Sequence, residues 1–409
     1  MKFLHVADLH LGKRLNEVSL RDDQQYILKQ ISDLAEQHGV QAVLIAGDIY
    51  DRAVPSEEAV TLLDDFLTDL SGRGITAIAI SGNHDSDDRL AYGSSLFRQS
   101  RVYITGRYEG RMECVTLEDG HGPVHFWMLP FVKASLVGHY HPEVETGNYD
   151  QAVRVALSDA ALNLNERNVL LAHQFVTGHT AGTEPEHDTG TAAQPGIGAG
   201  TEDTTDTDPE LAGSEVSYLS VGNVDRIRSD AFDAFDYVAL GHIHRPQAVG
   251  RAQVRYSGSP LKYSLGEAGQ DKSAVLVEMG EKGDVQVTCL PLHPLRDLRR
   301  ITGTLSEVLD PAGVTDPEDY VHVVLKDEYW QRDAMSRIRT VYPNVLKLDY
   351  DNELTHRLES GERDVSTQAM TFDELMESFF RRQLGRGPYE EEMKILRAAA
   401  EEAGVLCDQ

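Results

Sequence analysis

The first hundred residues alternate between short apolar runs and stretches with helical periodicity. Each apolar run predicts a buried strand that ends in polar residues. Three such runs are MKFLHVADLH, VQAVLIAGDIYD and ITAIAISGNHD. Between the first two, residues 20–39 predict an amphipathic helix closed by Gly39. Its apolar side consists of Tyr26, Ile27, Ile31, Leu34 and Ala35. The segment Pro55-Ser56-Glu57-Glu58 predicts the start of the next helix. The alternation is typical of an α/β layered fold.

Apolar runs later in the chain extend the sheets and then give way to a different pattern. Further strands are predicted at 124–129, 168–172, 236–240, 253–257 and 273–278. After Pro294, a strand at 320–326 and a helix at 329–343 indicate a small α/β domain. The expected division is a core at 1–290, a second domain at 294–352 and a helical region at 366–409.

The last region carries an apolar helical stripe beside acidic residues. Its members are Phe372, Leu375, Met376, Phe379 and Phe380. Such a stripe suits packing on the protein's own core and suits docking against helices of another protein equally well.

Composition and charge narrow the class of protein. The 409 residues are 41% hydrophobic and 26% charged, with a net charge of −29, so general affinity for nucleic acid or anionic membranes is not expected. Contact with DNA would need bound cations or a local basic patch, for which RDLRR (296–300) is a candidate, although such runs are commonly just solvated. Residues 178–215 are acidic and poor in large apolar side chains, which predicts a disordered insertion.

Targeting signals are not evident. The N-terminal apolar run is too short and too polar for a signal peptide, and no apolar run is long enough to span a membrane. Three widely separated cysteines argue against a disulfide framework and fit a reducing cytoplasm.

Candidate chemistry collects at the ends of the predicted strands. Because the carboxyl ends of parallel strands meet at one edge of a sheet, these side chains are expected to converge. They are Asp8, His10, Asp48, Asn83, His84, His173, His242 and His244. Carboxylate, amide and imidazole ligands suit Mn²⁺, Fe²⁺ or Zn²⁺ better than Ca²⁺. The set is too large for one ion but suits two ions that share a carboxylate, the arrangement found in phosphatases and nucleases.

The ordered series DxH, GD, GNHD, H and GHxH resembles the calcineurin-like metallophosphoesterases. That resemblance implies a four-layer α/β/β/α sandwich with a small α/β capping domain and C-terminal helices. Within the superfamily the chain is similar to the SbcD family, the nuclease subunits of bacterial SbcCD double-strand-break repair complexes. The similar segments are HVADLHLG, AGDIYDRAVPS, SGNHDS, LLAHQF, DYVALGHIHRPQ and RYSGSPLKYS.

Carried over position by position, the resemblance implies a role for each site residue. Asp8, His10 and His244 match ligands of a first metal, and Asp48 matches a bridging carboxylate. Asn83, His173 and His242 match ligands of a second metal, and both ions would be Mn²⁺. His84 matches a catalytic histidine that is not a ligand, whereas the role of Asp51 stays open.

The resemblance also implies partners and a cellular role. The expected activities are 3′–5′ exonuclease action on double strands and endonuclease action on single strands and hairpins, in DNA repair, recombination and replication. The terminal helices would dock on an SbcC-like SMC ATPase, and the 294–352 domain would contact DNA. A homodimer within a heterotetramer is expected, located in the cytoplasm and associated with the nucleoid. The dimer interface would include the helix after Pro55 and residues 90–100. The residues alone leave open a small-molecule phosphodiesterase of the same superfamily, or a scaffold without chemistry.

Four other histidines lie at positions less suited to metal binding. GHYH (138–141) follows a run broken by Lys133 and Ser135, so His139 and His141 are expected in a turn and not at the metals. His5 and His125 fall within strands, where packing or hydrogen bonding is the expected role.

Overall fold

The structure is a computed structural model that describes residues 1–178, 226–352, 355 and 372–402. Its strands, in chain order, are β1 Lys2–Val6, β2 Arg14–Leu15, β3 Val18–Ser19, β4 Ala42–Ala46, β5 Thr76–Ile80, β6 Val102–Thr105, β7 Glu113–Asp119, β8 Gly122–Leu129, β9 Arg167–His173, β10 Val176–Thr177, β11 Ile227–Arg228, β12 Tyr237–Gly241, β13 Gln247–Val249, β14 Arg251–Tyr256, β15 Ser273–Met279, β16 Val285–Pro291, β17 Leu298–Gly303, β18 Tyr320–Leu325 and β19 Val345–Tyr350.

The α-helices of the described residues are α1 Arg21–Gln37, α2 Glu57–Gly72, α3 Asp87–Leu90, α4 Ser94–Phe97, α5 Ala134–Tyr140, α6 Tyr149–Ser158, α7 Leu305–Val308, α8 Ala334–Arg339, α9 Phe372–Leu384 and α10 Glu390–Glu402. The Ser56 side chain caps α2 by accepting from the backbone N–H of Ala59. Gly39 follows α1 with φ +63°, as its predicted role at the helix end requires. None of the described helices has the length and apolar character needed to cross a bilayer.

Two six-stranded sheets form the centre of the protein. The first has the order β16-β15-β1-β4-β5-β6, with β1, β4, β5 and β6 parallel. The second has the order β13-β14-β12-β9-β8-β7, with β8, β9, β12 and β14 parallel. The predicted strands are confirmed, and their parallel arrangement brings several strand carboxyl ends to the same edge.

Successive side chains of each strand point to opposite faces of its sheet, so each sheet packs against a different layer on each face. Phe3 and Leu44 of the first sheet pack with Phe126 and Leu171 of the second, which forms a dry core between the sheets. The opposite face of the first sheet, with Leu4 among its residues, packs against α1 and α2. The opposite face of the second sheet packs against α5 and α6. The predicted four-layer α/β/β/α fold is therefore confirmed.

A three-stranded sheet, β17-β18-β19, follows the sandwich. Its start is fixed to α1 by Asp23, which is buried and accepts from Arg296 at 2.6 and 3.1 Å. The hydroxyl of Tyr320 also donates to Asp23, at 2.7 Å. Met1–Val324 and Arg332–Asp349 form one compact unit.

A second, smaller unit comprises Leu325–Gln331 and Tyr350–Gln409. Within it the predicted C-terminal helices are present as α9 and α10, and Arg397 of α10 donates to Asp373 of α9 at 2.8 Å. Two members of the α9 stripe, Leu375 and Phe379, are exposed.

Three local predictions need correction, and a fourth concerns residues outside the described ones. Tyr26 is 44% exposed, because it lies at the margin of the buried face of α1. GHYH lies at the end of α5 and not in a turn, since the small and apolar residues before it continue a helix. The predicted helix at 329–343 is shorter, beginning only at Ala334. The predicted acidic insertion lies, apart from Gly178, outside the described residues.

Candidate metal centre

The carboxyl ends of five central strands supply the predicted site residues. Asp8 and His10 follow β1, Asp48 follows β4, and Asn83 and His84 follow β5. The second sheet contributes the remaining three. His173 is the last residue of β9, and His242 and His244 follow β12. The structure brings all eight predicted residues together across the edges of the two sheets, through the contacts given below.

The backbone at these strand ends is unusual. Asp8, His10, Asp48 and His242 all have positive φ, at 54°, 43°, 48° and 103°. Non-glycine residues rarely adopt this region, and such strain gathers at functional sites where the surrounding structure enforces it. Here the loops after β1 and β4 run side by side: His10 N–H donates to the Asp48 carbonyl at 3.0 Å. The strained turns point the side chains into one volume.

Glycines next to the site residues allow the loops to approach closely. A Cβ on Gly82 would lie 2.2 Å from an Asp48 carboxylate oxygen, and a Cβ on Gly47 would lie 2.2 Å from Nδ1 of His173. A Cβ on Gly241 would lie 1.9 Å from the carbonyl of Ala46. The glycines of the GD, GNHD and GHxH motifs therefore have a steric role in this structure.

One group of ligand atoms comes from Asp8, His10 and His244, which are buried and offer atoms within 4.8 Å of one another. Nε2 of His10 and Nε2 of His244 are 3.1 Å apart. Neutral imidazole nitrogens this close to each other and to a carboxylate are common ligands of a metal ion.

A second group is formed by Asp8, Asp48 and His173, again within 4.8 Å. Nε2 of His173 lies 3.4 Å from Asp48 Oδ2 and 3.1 Å from Asn83 Oδ1. The same amide oxygen is 3.0 Å from Nδ1 of His242. Asp48 also lies 3.7 Å from Nε2 of His10 in the first group. Asp48 thus contacts histidines of both groups, in keeping with its predicted bridging position.

His84 lies at the exposed side of the centre, with 27% of its side chain accessible. Its Nδ1 donates to the carbonyl of Asp51 at 3.1 Å, and its Nε2 is 4.0 Å from Asp48 Oδ2. Its backbone N–H donates to Asp48 Oδ1 at 2.9 Å. These contacts hold the partly exposed ring beside the centre.

Burial controls the charges of the centre. It raises the pKa of the Asp8 carboxyl to about 6 and lowers the pKa of His242 to about 3. Burial also opposes the charge of His173, but the adjacent Asp48 carboxylate raises the pKa of this histidine to about 9. Burial likewise disfavours ionised Asp48, yet His173 holds the pKa of this carboxyl well below its usual range. Two buried carboxylates beside histidines favour a positive charge, which a divalent ion provides. The residues present therefore fit a metal centre.

Two supporting residues were not anticipated from the sequence. Asp85, the last residue of GNHD, is buried and accepts from the backbone N–H groups of Ile49, Tyr50 and Gly82 at 3.1, 2.8 and 2.9 Å. It thereby joins the loops after β4 and β5. Glu267, which contacts His244, is the second. Asp85 belongs to the GNHD motif, which marks its position but not its partners, whereas no sequence pattern marked Glu267.

Asp51, whose role the sequence left open, lies beside the centre. Its Oδ1 is 3.7 Å from Nδ1 of His10 and accepts from Nζ of Lys13 at 2.8 Å. His10, Asp51 and His84 form a third group of possible ligand atoms. The Asp51 side chain thus lies near His10, and its backbone carbonyl accepts from His84. Asp51 therefore forms part of the wall of the site.

The histidines excluded from the centre have other partners. His5 is buried between the Tyr237 hydroxyl and the Leu240 carbonyl. His125 contacts Thr116 and Glu166. His141 Nε2 forms a hydrogen bond with the Tyr108 hydroxyl at 2.9 Å. Among the described residues, neither His139 nor His141 belongs to a group of possible metal ligands.

The basic run RDLRR is mostly engaged in ion pairs. Arg296 contacts Asp23, and Arg299 contacts Asp319 at 2.8 Å. Arg300 is exposed. This pairing reduces the charge that the run can offer to phosphate.

Comparison with known proteins assigns the chain to a family. A model of the calcineurin-like phosphoesterases matches residues 1–246, and a model described as type 5 capsule protein repressor C-terminal domain matches residues 294–383. The SbcD subunit of the nuclease SbcCD from Staphylococcus epidermidis is 31% identical over 365 residues, which cover 87% of this chain and 88% of that protein. The chain belongs to the SbcD family of calcineurin-like phosphoesterases.

One solved structure that the chain resembles is a dimetal phosphatase from Danio rerio, with 11% sequence identity and a TM-score of 0.36. The matched region covers 72% of this chain and 98% of the phosphatase chain. As a member of the SbcD family the chain is a phosphoester hydrolase. Family membership and the side-chain groups described above together support two divalent metal ions at this centre.

Proposed function

We propose that this protein is a Mn²⁺-dependent DNA nuclease that acts in double-strand-break repair together with an SbcC-like SMC ATPase. The observation that carries the proposal is the meeting of eight Asp, Asn and His side chains at the strand ends of a family-typical fold. The relative named above is a subunit of the nuclease SbcCD. Exonuclease action on double strands and endonuclease action on single strands and hairpins are the proposed activities.

We propose the ligand assignment that the family resemblance implies. Asp8, His10 and His244 would hold the first ion, and Asp48 would bridge. Asn83, His173 and His242 would hold the second. When bound, the two ions supply Lewis acidity, which neutralises phosphate charge and lowers the pKa of water toward 7. Mixed imidazole and carboxylate ligands support Mn²⁺ over Ca²⁺.

His84 is the proposed catalytic residue. Its Nδ1 donates to the Asp51 carbonyl, and its Nε2 lies 4.0 Å from Asp48 Oδ2, on the side where a phosphodiester at the centre would bind. That nitrogen can stabilise negative charge on the phosphate or give a proton to the departing 3′ oxygen. His84 is more exposed than Asp8, His10 or His173, which agrees with contact to substrate and not to metal.

The remaining parts of the chain have proposed roles in assembly. The domain at 294–352 would cap the core and contact DNA, and the helical region at 366–409 would dock on the ATPase. Exposed Leu375 and Phe379 on α9 support an apolar docking face. Exposed Tyr92 and Leu96, within residues 90–100, support a homodimer surface there, and thus a heterotetramer with the ATPase.

The test is cleavage of linear double-stranded DNA and of bis-p-nitrophenyl phosphate with Mn²⁺, with EDTA controls, by the wild type and by His84→Ala. We expect the wild type to cut DNA and the variant to lose about 10²–10⁴-fold in rate while retaining both metals. Hydrolysis of the small ester alone, even with the ATPase partner added, would point to a small-molecule phosphodiesterase. Failure with both substrates and two bound metals would point to a scaffold.

A further inference from the structure

Behind His244 lies a carboxylate that belongs to no metal group found among the described residues. Glu267 is fully buried and ends a short 3₁₀ turn, Leu265–Glu267, between β14 and β15. Its Oε1 accepts from Nδ1 of His244 at 3.2 Å and from the Ser264 hydroxyl at 3.0 Å. Its Oε2 accepts from Nζ of Lys272 at 2.7 Å and from the Tyr263 backbone N–H at 3.3 Å. A buried charge of this kind persists only where such partners compensate for the lost hydration.

The contact fixes the tautomer of His244. A carboxylate can only accept, so the proton of the neutral ring is held on Nδ1, and Nε2 keeps its lone pair. Nε2 is the atom that lies 3.1 Å from Nε2 of His10, on the metal side of the ring. Carboxylates that accept from the outer nitrogen of a metal-binding histidine orient the ring and raise its basicity.

Lys272 keeps the carboxylate ionised and in place. Besides Glu267, its buried ammonium donates to the His244 carbonyl and to the Ser259 hydroxyl, each at 2.9 Å. One ion pair therefore holds both the ring and the backbone of His244.

We propose that Glu267, held by Lys272, is a positioning residue that presents His244 to the first metal in the correct tautomer. The inference rests on the proposed function, since it takes His244 as a ligand.

The geometry makes Glu267→Gln a directed test. At the Oε2 position an amide nitrogen would face the Lys272 ammonium and the Tyr263 N–H, both obligate donors. The glutamine amide nitrogen is therefore expected at the Oε1 position, where it donates to Nδ1 of His244. The ring must then carry its proton on Nε2, the nitrogen that the metal needs.

The experiment uses the full chain and Mn²⁺ alone. Binding isotherms and Mn²⁺ EPR of Glu267→Gln are expected to show a 10–100-fold weaker first site and an unchanged second site. In the metal-free protein, ¹⁵N NMR of the histidine side chains should show His244 changing from the Nδ1–H to the Nε2–H form. Glu278→Gln is the matched control, because Glu278 also pairs with a lysine but on the surface; both its metal affinities should equal those of the wild type.

Two further variants keep the test decisive. If Glu267→Gln folds poorly, the double variant Glu267→Gln/Lys272→Met removes both buried charges. The Tyr263 N–H still faces the Oε2 position, so the glutamine nitrogen is again expected beside His244. The same loss of Mn²⁺ affinity at the first site is expected. His244→Ala separates the two proposals. If it retains both metals, the proposed ligand set is wrong. If it loses one metal but Glu267→Gln retains wild-type affinity and tautomer, the positioning role of Glu267 is overturned.

Discussion

Gly82→Ala tests whether the close approach of the loops holds Asp48 in place. A methyl group at this position would lie 2.2 Å from Asp48 Oδ1 and 2.3 Å from the Asp48 backbone nitrogen. Ordinary contacts of this kind exceed roughly 3 Å, so one loop must move by about 1 Å. The backbone atom cannot move away by changing a rotamer. Gly82 does not have a positive φ, so the expected effect is purely steric.

The size of the effect follows from these contacts. Overpacking of this kind costs about 1–3 kcal/mol, which corresponds to a fall in Tm of roughly 1–5 °C for a unit of this size. Because Asp48 contacts histidines of both metal groups, a displacement of about 1 Å is expected to reduce DNA cleavage by roughly 100-fold.

The assay combines urea unfolding of the metal-free protein with Mn²⁺ titration and DNA cleavage. Gly120→Ala is the control, because an added Cβ there meets nothing within 4 Å and φ is ordinary; its stability should change by less than about 0.5 kcal/mol. The steric argument is refuted if Gly82→Ala unfolds at the wild-type urea concentration and binds Mn²⁺ with wild-type affinity.

Three further predictions concern ion pairs and metal. Asp119→Asn should destabilise the protein by about 3 kcal/mol at pH 7, because Arg167, its buried partner, loses its counter-charge. The Arg167 guanidinium holds the Asp119 pKa below its ordinary value, so the stabilisation is complete above about pH 5 and is lost as pH falls further. If Asp119→Asn lowered the free energy of unfolding equally at pH 7 and at pH 3, this explanation would be contradicted. Asp23→Asn, which weakens the contact with Arg296, should lower stability by about 3 kcal/mol in the same assay, whereas the exposed neighbour Asp22→Asn should be neutral. Removing metal with EDTA should abolish cleavage and lower Tm. Each ion present at about 100 times its Kd adds about 2.7 kcal/mol to the free energy of unfolding. An unchanged Tm in calorimetry would argue that the folded protein does not bind the ions.

The sequence predicted the sheets well because buried parallel strands are continuous apolar runs. It also predicted which residues meet, because each motif ends such a run. The expectation that they share one edge of one sheet was wrong, since β1, β4 and β5 belong to the first sheet and β9 and β12 to the second. Tyr26 was misplaced for a related reason. A helical pattern defines the centre of a buried face better than its margins, where Tyr26 lies.

What the sequence could not provide depends on long-range contacts. Asp85 supports a neighbouring loop through backbone N–H groups of Ile49 and Tyr50, and no local pattern shows that partnership. Glu267 lies in a single 3₁₀ turn, too short for periodicity to carry a signal, and its importance appears only when folding places it against His244. Both are buried carboxylates whose cost of burial is offset by specific donors, which a sequence alone does not reveal.

The central claim is that the strand ends hold two metal ions. The most direct measurement is anomalous diffraction at the manganese edge from crystals of the protein grown with Mn²⁺. We expect two peaks, each within bonding distance of Asp48. One should also be bound by His10 and His244, and the other by Asn83 and His173. A single peak, or peaks bound by other residues, would contradict it.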